Sequence, residues 1–570
     1  MHVTTTRRHY KGKVYETVLL RRSYREHGKV KNETLANLSH LPAETIELVR
    51  RSLHGERFIA TDAAVRVTRS LPHGHVALVW AAARQLGFPA LLGPACPQRD
   101  LAMALIIARV VRPRSKLATT RWWADTTLAE DLGVAEASTD DVYQAMDWLG
   151  SRQDQIERAL ASRHLGDGEL VYYDLSSSWV EGQRCELAAY GYSRDGKRGL
   201  AQIEYGLLTD AEGRPVAVEV FAGNTGDPAA FQAAVAGVRE RFGLERVVLV
   251  GDRGMITDAR ITALRTLGGL GWVTCLRAPA IKALAERGVV QPSLFDEVNL
   301  VEVGHPDFPG ERLVCCRNPL VATERARKRG ELLAATQAEL DKIARQVQAG
   351  KLVKAGTIGV RAGRALGRFK MAKHFTLDIA DGSFTFARNQ ASIDQEAALD
   401  GIYVVRTSVQ ADQLDAPGVV AAYKRLAGVE RDFRSLKTID LDLRPIHHWR
   451  KPRVRAHVLV CMLACYLAWH LRRALAPLCF TDEQPPTPTD PVAPATRSAA
   501  AKAKASRHRL PDGTPAHSFR TLLDHLGTLA RNTIDLAVPT GATVQQLTQP
   551  TPTQRRAFDL IGVSLPLTLT

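Results

Sequence analysis

The sequence is short of cysteine, of acids relative to bases, and of long apolar runs. Its eight cysteines in 570 residues form no CxxC pair. No zinc ribbon or disulfide framework is therefore readable, and a reducing cytosol fits best. The opening MHVTTTRRHYKGK has no apolar h-region, so no secretory signal is expected. VLVCMLACYLAW (458–469) lies between His457 and His470. A bilayer needs roughly 20 apolar residues, so this shorter stretch reads as a buried core helix and no membrane partner is expected. No internal repeat is found. The 60 Asp+Glu are outnumbered by 76 Lys+Arg, for a net charge of +16 and a pI near 9.6. Such a surplus favours a polyanionic partner, most simply nucleic acid or an anionic membrane surface.

What is present is a folded composition, 45% apolar and 24% charged, in a chain long enough for roughly two to four domains. Residues 1–165 begin with a β-like piece, VYETVLLRRSY, and then read as mainly helical, a candidate DNA-binding region. Within it, TLAEDLGVAEASTDDVYQAMDWL (127–149) has the rhythm of a helix-turn-helix, with Ser138/Thr139 able to cap a helix carrying Val142, Tyr143, Met146 and Leu149. Two packed helices joined by a Gly turn explain that rhythm equally well.

Residues 166–280 alternate strands and helices in the order β, β, β, α, β, α, β. ELVYYDLS (169–176) reads as a strand, and IEYGLLTD and VAVEVFAG form a hairpin. The helix 227–243 would be capped by Asp227, and the apolar run RVVLVGD (246–252) suits a buried central strand. Residues 281–415 are less regular. Between 324 and 373, thirteen Lys/Arg face only four acids, the best candidate for a surface that tracks phosphates. The α/β texture resumes over 416–480. Residues 481–515 read as a flexible linker, and 516–570 as a tail.

Two apolar strands end in an acid: Asp174 after Val171–Tyr173, and Asp252 after Val247–Val250. A turn or cap role explains one such Asp; two in one α/β unit suggest carboxylates converging at a sheet rim to hold divalent metal. A third carboxylate would complete the site. In AYKRLAGVERDFRSLK (422–437), Ala422, Leu426, Val429, Phe433 and Leu436 form one apolar stripe. Tyr423, Glu430 and Lys437, seven apart, line its margin. Glu430 can thus reach over the sheet edge. Asp432, turned about 200° from it, is expected to point to solvent.

These residues resemble the RNase H-like DDE transposases. YKRLAGVERDFRSLK is similar to the tyrosine–arginine–glutamate–lysine signature of bacterial insertion-sequence transposases with a β-rich insertion before the glutamate. Tyr423, Glu430 and Lys437 match it. Leu426 stands where the arginine belongs, with Arg425 adjacent. GYSRDGKRGLAQ (191–202), FAGNTGD (221–227), GDRGM (251–255), LKTIDLDLRPIHHW (436–449) and QRRAFDLIGV (554–563) extend the likeness over most of the chain.

The resemblance implies an RNase H-like mixed sheet flanked by helices, split into 166–280 and 416–480 by a mixed α/β, β-rich insertion (281–415). It implies that Asp174, Asp252 and Glu430 bind two Mg²⁺ (or Mn²⁺). It further implies DNA contacts from Tyr423, Lys437, Arg253 and Arg434, cleavage at element ends and joining to target DNA. A homodimer on double-stranded DNA, in the bacterial cytoplasm at the nucleoid, completes the expectation. The alternatives are a metal-dependent nuclease without strand transfer, and a DNA-binding protein with a dead core.

Overall fold

A computed structural model describes residues 1–58, 65–536 and 542–569, with the side chain of Ile439 excepted. The chain divides into two units: Met1–Leu71 with Arg531–Thr548, and Pro72–Ala530 with Gln549–Thr570.

In the first unit, β1 (His2–Tyr10), β2 (Lys13–Glu26) and β3 (Lys29–Asn37) form an antiparallel meander. Both turns hold two residues at positive φ, Lys11-Gly12 and His27-Gly28. That geometry matches the twist of the strands it joins. A second sheet orders β16 (Thr543–Leu547), β15 (Ala530–Leu536) and β4 (Val65–Pro72). The first 37 residues thus hold three strands where one β-like piece is readable. The mainly helical texture sets in only at Gly74 and runs to His164.

The second unit is built on an eight-stranded mixed sheet. β5 (Leu170–Trp179), β6 (Gln202–Thr209) and β7 (Pro215–Ala222) make an antiparallel meander, and β8 (Val247–Val250) and β9 (Leu270–Cys275) lie parallel to β5. The spatial order β7-β6-β5-β8-β9 is the RNase H-like mixed sheet, and the chain order is the one expected. β6 is buried along its whole length, the polar Gln202, Glu204 and Thr209 included.

Three strands extend this sheet past β9: β14 (Ile402–Thr407), β11 (Arg312–Arg317) and β10 (Leu300–Val303), all antiparallel. The β content of the insertion is therefore divided, because only the hairpin of β12 (Phe375–Ala380) and β13 (Ser383–Arg388) is its own sheet. The rest is helical, chiefly Pro319–Gln348 and Ala355–Phe369, closed by a separate cluster around Leu340, Ile358 and Phe375.

The apolar 458–469 run lies in the helix Lys451–Ala474, whose most apolar stretch is 83% buried inside the protein. The helix Thr139–Ser151 is capped as read, with Ser138 and Asp141 forming a capping box. It is a supporting helix: Val142, Ala145, Met146 and Leu149 are buried, and its exposed positions include Asp140, Gln144 and Asp147. Acids there repel phosphate, so the packed-helix reading fits this segment.

Residues 481–515 are tied down where a flexible linker is expected. Lys424 donates from Nζ to the carbonyls of Pro491 (2.5 Å) and Ala493 (2.8 Å). Val492 is buried, and the helix Ala499–Arg507 buries Lys504. Composition alone cannot register such long-range partners. Nor are residues 516–570 a loose tail, since Leu522, Leu523 and Leu526 of the helix Phe519–Gly527 join the main core.

Candidate functional site

Parallel pairing of β5 and β8 sets Tyr172 opposite Val250. Asp174 lies two residues further along β5, and Asp252 lies two residues past the end of β8, so both acids sit at the same rim of the sheet. Alternation along β5 does the rest. Tyr173 donates its hydroxyl to the carbonyl of Ala230 (3.2 Å) in the helix Asp227–Ala236, so Asp174 takes the opposite face.

That face is covered by the helix Ala416–Arg434. Asp415 caps it by accepting from the Gly418 amide (2.8 Å), with Pro417 in its first turn. Ala422, Leu426, Val429, Phe433 and Leu436 are all buried, as the stripe requires, and Phe433 packs on Tyr205 with ring centroids 5.8 Å apart. Glu430 is exposed beside the stripe and forms no ion pair with Arg434 among the described residues.

Asp174, Asp252 and Glu430 line one open cleft of about 590 Å³, together with Ser176, Arg194, Asp195, Arg434, Lys437 and Arg444. Burial pushes the Asp174 carboxyl up to about 7, against the Leu175 amide that stabilises its charge, and Asp252 and Glu430 add repulsion. Asp252 also has the turn role, since its Oδ1 accepts from the amides of Gly254 (2.9 Å) and Met255 (2.6 Å). A larger cavity of about 1080 Å³ opens at the other ends of β5, β8 and β9 and holds none of the three acids.

The donor set suits a hard divalent cation, being oxygen only and drawn from three elements, with one carboxyl whose charge the fold disfavours until a cation offsets it. Among the described residues no three His, Cys, Asp or Glu side chains stand together closely enough to hold a metal ion, so Asp174, Asp252 and Glu430 share the cleft without forming a ready-made coordination site. An open arrangement fits ions that keep waters and bind substrate oxygens.

The other expected residues separate. Arg434 and Lys437 line the cleft. Tyr423 is half-buried beside Cys275, Asp252 and Arg253, and burial raises its hydroxyl pKa. Arg253 is exposed next to them. Leu426 is core. Arg425 does not replace the missing arginine in the cleft: it lies by Tyr172 in a different hollow, with Asp210 and Glu212. The helix and β5 run in step, so moving from Tyr172 to Asp174 (roughly 7 Å) matches moving from Arg425 to Glu430 (roughly 7.5 Å).

Asp432 faces away from the cleft, as expected, but not into solvent. It is half-buried near Arg472 and Arg431, and burial pushes its carboxyl up to about 7. The Lys451–Ala474 helix occupies the side the helical wheel leaves open.

Six polar cleft residues escape a reading of the chemistry along the chain: Ser176, Tyr192, Arg194, Asp195, Thr438 and Arg444. Arg194 and Asp195 lie in the stretch GYSRDGK, which carries no periodicity that marks them. That loop is pinned from a distance. A Cβ on Gly191 would sit 2.1 Å from the carbonyl oxygen of Gly223, so the FAGNTGD and GYSRDGK stretches can meet only as glycines. Arg194 then pairs with Asp227 (2.6 Å), which forms this ion pair and does not cap its helix.

Among solved structures the chain is similar to a piggyBac transposase synaptic complex with hairpin DNA, at 10% identity and a TM-score of 0.34, covering 80% of this chain and 76% of that one. It is also similar to a Mos1 transposase paired-end complex with left transposon end, at 14% identity and a TM-score of 0.14, covering 34% and 62%. No curated protein matches. The chain matches the N-terminal domain of IS1634 family transposases over residues 3–62, and the family described as transposase DDE domain over residues 176–467, just over half its length. With the mixed sheet already described, these two family matches place the chain among the DDE transposases of insertion sequences, enzymes that move DNA.

Proposed function

We propose that Asp174, Asp252 and Glu430 are the catalytic acids of this transposase and hold two Mg²⁺, with Mn²⁺ able to substitute. DDE transposases use divalent metal ions; here the ions would activate the attacking oxygen and offset charge on the leaving one at a DNA phosphodiester. The protein's own part is placement and charge. Asp174 supplies a carboxylate from β5 and Asp252 one from the turn after β8, at the same rim of the sheet, and Glu430 closes the third side from a helix held by its apolar stripe. Lys437 and Arg434 are the cations at hand for the phosphates beside the cleaved bond, with Tyr423 and Arg253 flanking Asp252. The substrates are double-stranded element ends and target DNA at the nucleoid, and two protomers bring two ends together. We assign residues 1–165 to end recognition and 281–415 to an insertion that carries DNA along its basic face.

The observation that carries this reading is the convergence of three acids, from residues far apart in sequence, on one open cleft. The test supplies purified protein, Mg²⁺ and duplex DNA bearing the inverted repeats that flank the gene. Cleavage at the repeat ends followed by joining to a target plasmid is expected. Cleavage without joining would leave a nuclease, and binding without reaction a dead core.

A further inference from the structure

The cleft contains a fourth carboxylate that the proposed metal site does not use. Asp195 has a side chain only 2% exposed, and its Oδ1 accepts from the Lys437 ammonium (2.7 Å) and forms an ion pair with the Arg444 guanidinium (2.5 Å). The three residues come from three segments: the loop after β5, the wide helical turn Ser435–Ile439 that follows Glu430, and the segment leading into the Lys451–Ala474 helix. One oxygen ties them together.

The cations outnumber the acid, and their donors are not used up. Lys437 offers three N–H groups and Arg444 five. Arg444 Nε and Asp195 Oδ2 are buried and have no hydrogen-bond partner among the described residues. The Arg444 guanidinium lies over the ring of Trp179, with its carbon 5.0 Å from the centroid. Arg194, the neighbouring cation, is engaged by Asp227. Lys437 and Arg444 are thus left as a close pair with spare donors, lining the same cleft as the three acids. Without an anion between them they would repel in a partly desolvated place, and each would be free to turn away.

We propose that Asp195 is a positioning residue which holds Lys437 and Arg444 together as a two-cation clamp for one phosphate of the DNA strand lying across the three acids. The inference rests on the cleft being the active centre. Asp195 touches no substrate atom; it acts through the two cations, whose remaining donors meet the phosphate oxygens.

The test uses full-length protein and a repeat-end duplex in which single phosphates near the cleavage point are replaced, one at a time, by neutral methylphosphonates. At one position the wild type is expected to lose cleavage by about 10²-fold, the cost of a misplaced reacting group. Asp195→Asn is expected to lose a similar factor on unmodified DNA, to lose nothing further at that position, and to bind the unmodified duplex more weakly in metal-free anisotropy. Asp195→Glu should recover part of the loss, which a merely misfolded variant would not show. The double variant Lys437→Gln/Arg444→Gln should be equally insensitive to the same methylphosphonate, and decides the case if Asp195→Asn fails to fold. Wild-type cleavage by Asp195→Asn, or losses that multiply at every position, would overturn the clamp. Active Asp174→Ala or Glu430→Ala would instead overturn the reading of the cleft.

Discussion

Asp252 both closes a turn and lines the cleft of the proposed metal site. The Asp252 Oδ1 closes a turn on Gly254 and Met255, so a turn reading of that acid is correct, and the metal role proposed for it is additional. Replacing Asp174, Asp252 or Glu430 by Ala is expected to abolish cleavage, by roughly 10³-fold or more where metal positioning is lost, while duplex binding in a gel shift survives. Asp432 is the control in the same helix, and Asp432→Asn should keep cleavage. Its folded pKa of about 7 lies above the ordinary 3.8, so the folded state holds its proton more tightly. The stability it contributes is therefore present at low pH and lost as pH rises from about 4 towards 7. At pH 8, Asp432→Asn should melt at a higher temperature than the wild type, with the gap closing towards pH 4. A lower melting temperature at pH 8 would refute the assignment of Asp432 to a desolvated position.

Among the elements, the helix Ala416–Arg434 is the most fully readable, because a 3.6-residue period and a core on one side fix which residues face in. The period ends at Arg434. The turn Ser435–Ile439 is wider than an α-helix, which alters the seven-residue line from Glu430 to Lys437 and delivers Lys437 to Asp195. The insertion carries a second readable helix, Ala355–Phe369, with Ile358, Ala362 and Leu366 buried and Arg361, Arg364 and Arg368 exposed on one stripe. From Lys342 to Leu377 the chain has no acid at all. By contrast Arg329, counted in the same basic run, is buried in a pair with Asp400 and unavailable. Changing Arg361, Arg364 and Arg368 to Ala should weaken binding to all duplexes alike. It should also lower the slope of log affinity against log salt by up to about 2.7, or about 0.9 for each phosphate no longer neutralised. Circular dichroism should show the helix retained, since Ala favours it. An unchanged salt slope would remove this face from the DNA path.

Across the whole molecule, strand order decides what the site contains. The meander β5-β6-β7 and the parallel pair β8-β9 bring acids 78 residues apart in sequence to one rim of the sheet. The eight-stranded sheet also takes in strands from the insertion, which the sequence marks only as short apolar pieces. Two transposon ends must meet for joining, so light scattering on the complex with repeat-end DNA is expected to give a mass of two protomers. One protomer per duplex under all conditions would contradict that assembly.

By itself the sequence pointed to three acids that share one cleft, and it determined the apolar stripe that carries Glu430 to the sheet edge, the β-β-β-α-β-α-β order and the buried nature of the 458–469 run. All of these rest on local periods and strand-end chemistry, which a chain expresses over short stretches. The tertiary structure alone decided that Arg425 belongs to another hollow, that Asp432 is half-buried, that residues 481–515 are held in place and that Asp195 joins Lys437 to Arg444. Each of those depends on partners brought near by packing between distant segments, and no local period encodes which distant partner a side chain will meet.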